Sequence, residues 1–280
     1  MQLIFKIITS AILFQNLIFG IGTQFLSIPQ NAKELIIGLN PSIKNIINRP
    51  ILSASYGNWL AGIKVSTFGY SRKALGGAAG FNVRYIALND LELRTDRPTD
   101  DPLSVFDATA IALDGNYIRQ TKIGLLSTKL RYISMQLLDE ISTGFAMDIG
   151  LQHNINDKLN VGFTVLNLGS MSELNVEKPK LPVRMIVGSG YDFSFNEIDN
   201  SFFVALEKSS IIEGIILRVG EVTNWNKLQF LIGTQFSKDV ASISGGIGIK
   251  LGTYDIKYGI QFGSQSLGSP QMLDLSVILP

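Results

Sequence analysis

His153 is the only histidine among the 280 residues, so a catalytic site that depends on histidine would have to be built around it. It stands in the segment QHNIND, at the end of an alternating run and beside a turn, which is typical of a solvated turn residue. Cysteine is absent, which removes thiol nucleophiles, disulfides and thiolate metal sites. A zinc site with several histidine ligands is excluded as well.

Adjacent carboxylates are the other groups that could perform acid–base chemistry. The pairs at residues 139–140 and 100–101, and Glu213, stand where the pattern indicates loops or strand ends. The segment GGIG at residues 245–248 superficially resembles a phosphate loop, but strand alternation continues through it and no Lys-Ser or Lys-Thr pair follows. We therefore predict a protein that is not an enzyme, with no catalytic residue, no metal ligand and no cofactor.

The composition and the distribution of apolar residues exclude two further classes of protein, those that bind nucleic acid and those that cross a membrane with helices. Lys and Arg total 24 against 23 for Asp and Glu, so there is no basic field to attract nucleic acid. Charged residues make up 17% of the chain and the mean hydropathy is +0.24. No run of about 20 apolar residues follows the first 22 positions, which excludes a protein that crosses a membrane with helices.

The first 22 residues have the pattern of a secretory signal peptide. Lys6 precedes an apolar run over residues 7–19, and the small residues Gly20 and Gly22 mark a cleavage site. An N-terminal membrane anchor is the alternative, but no charged stop-transfer flank follows. We predict a signal peptide over residues 1–22 and a mature chain outside the inner membrane.

The remaining chain divides into two parts. Residues 23–50 show no strand alternation, and we interpret them as an N-terminal plug or strap with a turn or two of helix over Ala32 to Ile37. Residues 51–280 alternate apolar and polar positions with a period of two, as in TYDIKYGIQF at residues 253–262, and contain about 14 strands. The apolar plug residues that could line a pocket or seat the plug are Leu26, Ile28, Leu35 and Ile36.

Strand length indicates which face of the sheet is inside. The clear strands run about 9 to 12 residues, enough for a tilted strand to cross a bilayer, whereas soluble strands cluster near 5 or 6. The polar face is rich in Gly, Ala, Ser, Asn and Gln, and aromatic residues recur near strand ends. In hydrocarbon an open sheet edge leaves main-chain groups unpaired, so the sheet must close. We predict an all-β, antiparallel transmembrane barrel of the bacterial outer membrane, surrounded by lipid; a soluble periplasmic β-protein is the alternative.

The predicted inward face carries ionisable residues. Inside a barrel they can form ion pairs that fix its shape, or line a polar conduit or clamp the plug. The candidates are Lys64, Arg84, Asp148, Arg184, Asp192, Lys250, Asp255 and Lys257.

The order of local motifs resembles the PorV/PorQ family of outer-membrane barrels, which is related in fold to the FadL transporters. The resemblance rests on QFLSIPQNAKELIIG, NPSI, ILSASYGNWLAGIKVSTFGYSR, VRYIALNDLELRT, TGFAMDIGLQH, LNVGFTVLNLGS and KPKLPVRMIVGSGYDF, in that order. It implies a barrel of about 14 strands with a small plug. It also implies a carrier or scaffold role with the type IX secretion machinery, with secreted cargo proteins and other secretion components as partners.

The two longest predicted loops, residues 89–103 and 170–181, are the candidates for contacting a protein. The alternative function is a FadL-like outer-membrane channel for hydrophobic small molecules. A carrier needs protein-binding loops and tolerates a sealed lumen, whereas a channel needs an apolar pocket and an exit path.

Overall fold

The computed structural model describes residues 22–43, 48–94, 101–238, 240–263 and 268–280. Within them, 14 antiparallel strands form one closed barrel in which each strand pairs with the next and β14 pairs with β1. This confirms the predicted fold; the predicted signal peptide falls almost entirely on residues 1–21, outside the described residues. The strands are β1 (Ile51–Asn58), β2 (Lys64–Ala74), β3 (Gly77–Leu93), β4 (Ser104–Thr121), β5 (Gly124–Leu137), β6 (Glu140–Asn154), β7 (Leu159–Met171), β8 (Arg184–Phe195), β9 (Ile198–Ser209), β10 (Ile216–Trp225), β11 (Leu228–Phe236), β12 (Ala241–Leu251), β13 (Tyr254–Gly263) and β14 (Gln271–Ile278).

The alternation along each strand separates an outer apolar face from an inner face of small and polar residues. On β13, Tyr254, Tyr258 and Phe262 lie outside, while Gly259 is buried. On β6, Phe145 is 69% exposed and the neighbouring Ala146 is 4% exposed. A soluble sandwich would bury the aromatic face instead, so the exposed apolar band is that of a lipid-facing barrel.

The two ends of the barrel differ. At the turn end, where β1 begins and β14 ends, five connections have two residues and residues 155–158 form the sixth. Asn196 and Asn226 occupy two of these turns with φ of 53° and 55°, a conformation that asparagine tolerates. At the loop end, β3 and β4 are joined by residues 94–103 and β7 and β8 by residues 172–183. The first of these loops is shorter than predicted because β3 continues to Leu93.

The N-terminal segment, residues 22–43, lies inside the barrel and is called the plug below. It contains a 3-10 helix, Thr23–Ser27, and helix α1, Ala32–Ile37. The Asn31 side chain accepts a hydrogen bond from the Glu34 N–H at 2.8 Å, and the Glu34 carboxylate accepts one from the Gln30 N–H at 3.1 Å. This reciprocal capping explains why α1 begins at Ala32. None of the described helices is long and apolar enough to cross a membrane.

Candidate functional site: a plugged lumen

One face of α1 rests on a glycine floor, which comprises Gly220, Gly233, Gly246 and Gly259 on the adjacent strands β10 to β13. A Cβ on Gly259 would stand 2.9 Å from Cδ1 of Ile36, and one on Gly233 would stand 1.9 Å from the Ile36 carbonyl oxygen. Any side chain at these positions would therefore occupy the volume of the plug. The wall carries glycine here because the plug backbone approaches it closely.

The turn that follows α1 is held in the same manner on β7 and β8. Backbone and side-chain atoms of Asn40 and Pro41 lie within 3 Å of where a Cβ would stand on Gly162 and Gly188. The Asn40 amide donates hydrogen bonds to the Ser189 and Val204 carbonyl oxygens at 3.3 and 3.0 Å. The turn is thus fixed to the wall by shape and by hydrogen bonds.

At the loop end the lumen is apolar. A continuous cluster of buried residues joins the plug to inward-facing residues of the wall. Phe25 is fully buried at 0% exposure, and its carbonyl oxygen accepts a hydrogen bond from Arg84 at 3.1 Å. The plug contributes Phe25, Leu26, Ile28, Ala32 and Leu35, and the wall contributes Ile63, Val65, Ile86, Ala110, Ala112, Ile133, Met135, Ala146, Met171, Leu181 and Met272. Ile36 packs in a second cluster with Ile37, Phe203, Val222 and Leu231.

Below the apolar cluster, Arg131 on β5 is the centre of the first buried ion-pair group. Its guanidinium contacts both carboxylate oxygens of Asp114, at 2.7 and 3.1 Å, and one oxygen of Asp148 at 3.4 Å. Asp148 also accepts a hydrogen bond from the N–H of Asn167 at 2.7 Å. Four neighbouring strands, β4 to β7, are therefore tied together inside the barrel.

Glu207 on β9 is the centre of the second group. It accepts two hydrogen bonds from Arg184 at 2.6 and 2.9 Å and is also paired with Arg218. Arg218 donates to the Gln235 side chain at 3.0 Å, which extends the group to β11. Each charge has a partner of opposite sign, so this arrangement fixes the shape of the wall.

The other predicted lumen residues lie toward the turn end. Lys257 contacts Asp255 at 2.5 Å, and Asp192 accepts a hydrogen bond from Ser201 at 2.7 Å. Lys250 lies at the exposed mouth, where it contacts Asn224 at 3.3 Å. All of these side chains belong to the inward parity of their strands.

The prediction that Lys64 lines the lumen is wrong. Its side chain is exposed on the outward parity of β2, whereas Val65 is 2% exposed and faces inward, opposite Gly57 and Ile86. The prediction assumed that the polar parity always faces the lumen. At the loop end the lumen is apolar, so the apolar parity of β2 is buried there and Lys64 lies outside near the barrel rim.

The sequence matches no protein-family model and no curated protein. Solved structures do resemble it. A structure described as the CymD monoaromatic hydrocarbon channel superposes with a TM-score of 0.57 at 11% identity, over 89% of this chain and 96% of that one. The outer-membrane protein Omp33 of Acinetobacter baumannii has a TM-score of 0.50 at 8% identity, over 82% and 98% of the two chains. A TodX monoaromatic hydrocarbon channel mutant has a TM-score of 0.51 at 10% identity, over 81% and 87%.

The chain has the fold of an outer-membrane β-barrel channel. Two of these similar structures are described as channels and the third as an outer-membrane protein, and none is described as an enzyme. At these identities the likeness establishes the fold alone. His153 lies exposed near the turn end, where a ring nitrogen is 2.9 Å from the Ile123 carbonyl oxygen. The described residues contain no group of three or more His, Cys, Asp or Glu that could hold a metal ion.

A cavity of about 270 Å³ lies between the plug turn and the wall formed by β3 to β7. Its polar lining includes Asn82, Asn116, Lys129, Gln152 and Thr164. Several of these residues are near the turn-end limits of their strands. The lumen of this channel fold therefore has three levels: an apolar cluster, a belt of ion pairs and a polar cavity.

Five of the charged lumen residues that form the buried contacts described above were not among the candidates from the sequence. Asp114 shares its parity with Ala110 and Ala112, which is a signal of the inward face, whereas Arg131 shares its parity with Ile133 and Met135 and has no such signal. Most belong to strands whose alternation is less regular, and partners such as Arg131 and Asp114 are 17 positions apart. The residues are Asp114, Arg131, Glu207, Arg218 and Asp274.

Proposed function

We propose that this protein is an outer-membrane channel for small apolar compounds, closed by its N-terminal plug. The observation that carries the proposal is the apolar loop-end lumen. Val65, Ile86, Ile133 and Met135 face inward and are at most 5% exposed, whereas the interior of an aqueous porin is polar. An apolar lining provides a favourable environment for a hydrocarbon solute and an unfavourable one for a sugar.

The path of such a solute follows from the three levels of the lumen. Plug residues fill the apolar level, so a solute enters only when the plug moves. The solute then passes the ion-pair belt and reaches the polar cavity at the turn end. Two of the structures that share the fold are described as monoaromatic hydrocarbon channels, which supports aromatic hydrocarbons as the first solutes to test.

The exposed apolar band also supports a location in the outer membrane, with lipid around the barrel. Outer-membrane barrels have short periplasmic turns and longer extracellular loops. The turn end therefore faces the periplasm, and the apolar level faces the cell exterior. A solute would meet the apolar cluster first.

The direct test is uptake by cells that have an intact outer membrane and lack other apolar channels. We expect labelled toluene to enter faster when the protein is present, while uptake of a labelled pentose is unchanged.

Val65→Thr places a hydroxyl in the apolar level and should lower toluene uptake. Val187→Thr makes the same change on the lipid face, where Val187 is 56% exposed, and serves as the control. Pentose uptake without toluene uptake would identify an aqueous porin and refute the proposal.

The secretion-carrier role implied by the PorV/PorQ resemblance stays a prediction. The long β3–β4 hairpin and residues 172–183 lie at the loop end, where a protein could bind. Purification of the barrel from solubilised membranes tests this role. Reproducible recovery of secreted proteins, together with no effect on toluene uptake, would favour the carrier over the channel.

A further inference from the structure

Asp274 differs from the other buried carboxylates of the lumen. Asp114, Asp148 and Glu207 are each paired with an arginine of the wall. Asp274 on β14 is 7% exposed, and its two oxygens accept the N–H of Ala32 at 2.9 and 2.8 Å. This contact joins the wall to the plug between residues 242 positions apart.

The Ala32 N–H belongs to the first turn of α1, where no carbonyl of the helix can accept it. Asn31 and Glu34 satisfy neighbouring N–H groups from within the plug. The acceptor for Ala32 therefore comes from the barrel. Ala32 is fully buried, at 0% exposure, so water cannot replace Asp274 while the plug is seated.

Burying a carboxylate in this position is unfavourable unless its oxygens accept hydrogen bonds. Met272, on the same face of β14, belongs to the apolar cluster, and burying an ionised group beside such a cluster is unfavourable without hydrogen bonds. The Ala32 N–H donates one charge-assisted hydrogen bond that the two carboxylate oxygens share, and the Ser55 side chain donates another. When the plug leaves, the carboxylate loses the bond from Ala32 and is solvated.

We propose that Asp274 is the latch of the plug, a positioning residue that sets the balance between the closed and open lumen. The proposal rests on the proposed channel function in that the plug is the closing element. The glycine floor gives α1 its fit to β10 to β13, and Asp274 secures the helix to β14, the last strand of the barrel. Seating of the plug therefore requires β14 to be in place.

The test uses the absence of cysteine in the natural chain. Leu35 is 4% exposed in the seated plug, so a Leu35→Cys reporter should react slowly with a maleimide. Asp274→Asn removes the charge and one acceptor oxygen. Because hydrogen bonds to charged groups contribute about 1.5–3 kcal/mol, labelling should accelerate about 10- to 100-fold, and leakage of a small polar dye from proteoliposomes should rise.

Ala32→Pro removes the same contact from the plug side and leaves β14 unchanged. Proline is accepted at the first position of a helix, and Asn31 has the extended conformation that proline requires of its predecessor. Labelling and leakage should rise as they do for Asp274→Asn, with no further rise in the double variant. Asp157→Asn, in an exposed turn at the turn end, is the control and should change neither readout.

The heat-induced shift in the gel mobility of the barrel reports whether the barrel is folded. It therefore distinguishes a residue that only holds the plug from a residue that the wall needs to fold. Faster labelling with an unchanged gel shift supports the latch. Unchanged labelling in both variants, or faster labelling only where the gel shift is lost, overturns it. Faster labelling of the variants, together with no toluene uptake by the natural protein, supports the latch and refutes the channel. A failure of the latch proposal is therefore distinguishable from a failure of the channel proposal.

Discussion

The Cβ of Ile37 in the plug lies 2.8 Å from the point where a Cβ on Gly220 would stand. Two further atoms of Ile37 are within 3.1 Å of the same point. The plug and β10 thus have complementary surfaces that leave no room for a methyl group. Real Cβ atoms essentially never approach another heavy atom within 3.0 Å, so one of the two surfaces must move if Gly220 is replaced.

Gly220→Ala should displace the plug while the barrel stays closed. The overlap is with plug atoms, and overpacking of this kind costs about 1–3 kcal/mol. We expect faster maleimide labelling of a Leu35→Cys reporter and a higher dye leak. Gly115→Ala on β4, where a Cβ meets nothing within 4 Å, is the control. Equal effects of the two substitutions would contradict a tight fit at Gly220.

A disulfide between residues 42 and 190 should hold the plug in place. The Ser42 hydroxyl oxygen lies 2.9 Å from the position of a Cβ on Gly190, a separation compatible with a disulfide between Ser42→Cys and Gly190→Cys. Oxidation should abolish toluene uptake and reduction should restore it, whereas the two single variants should be insensitive to reductant. Unchanged uptake in the oxidised double variant would show that solutes pass without plug movement.

Plug seating should depend on pH through Lys33. Burial, Lys257 and Lys250 lower the pKa of Lys33 from 10.5 to about 8, against the opposing effect of Asp255 and Asp192, and its Nζ lies 5.8 Å from the centre of the Phe203 ring. A displaced plug regains the ordinary pKa and binds the proton more tightly. Lys33 therefore makes the seated state more stable as pH rises from about 8 to 10.5, and its contribution does not change with pH below that window.

Dye leakage from proteoliposomes measures this dependence. The leak should fall between pH 8 and 10.5 in the natural protein. Lys33→Met removes the titrating group and should give a low leak that does not change over the window. A leak that rises with pH in the natural protein would exclude Lys33 as the cause.

Glu207 should be essential to barrel stability because it is the ion-pair partner of two buried arginines. Glu207→Gln leaves Arg184 and Arg218 as buried charges with weakened partners, and breaking a buried pair costs about 3–5 kcal/mol. Glu213→Gln affects an exposed pair with Lys238, whose side chains are 83% and 63% exposed, and should cost no more than about 1 kcal/mol. Urea unfolding of the reconstituted barrel compares the two variants, and similar midpoints would be inconsistent with the ion-pair belt.

Depth in the membrane should decide the effect of a charge on the outer face. Ile247 lies near the middle of β12 and is 49% exposed. Ile247→Arg should destabilise the barrel by about 2–4 kcal/mol, whereas Leu251→Arg at the end of the same strand should cost about 0–1 kcal/mol. The unfolding free energy in lipid vesicles measures both, and a larger effect at Leu251 would place the membrane elsewhere on the barrel.

The amino-acid sequence determined the architecture because its signals are local. A period of two identifies a strand and separates its faces, and strand length together with the apolar outer parity indicates a bilayer. Asn31, Glu34 and Gly38 delimit α1 within eight residues. These features need no knowledge of distant partners, so the closed 14-strand barrel and the short helix could both be predicted.

Only the tertiary structure decided which inward residues meet. Arg131 faces Asp114 because of the register between β5 and β4, and Asp274 reaches Ala32 only once the barrel has closed around the plug. Lys64 shows the limit of the local rule, since the polarity of the lumen changes between its two ends. Register, closure and plug position are collective properties of all 14 strands, whereas alternation is a property of one strand.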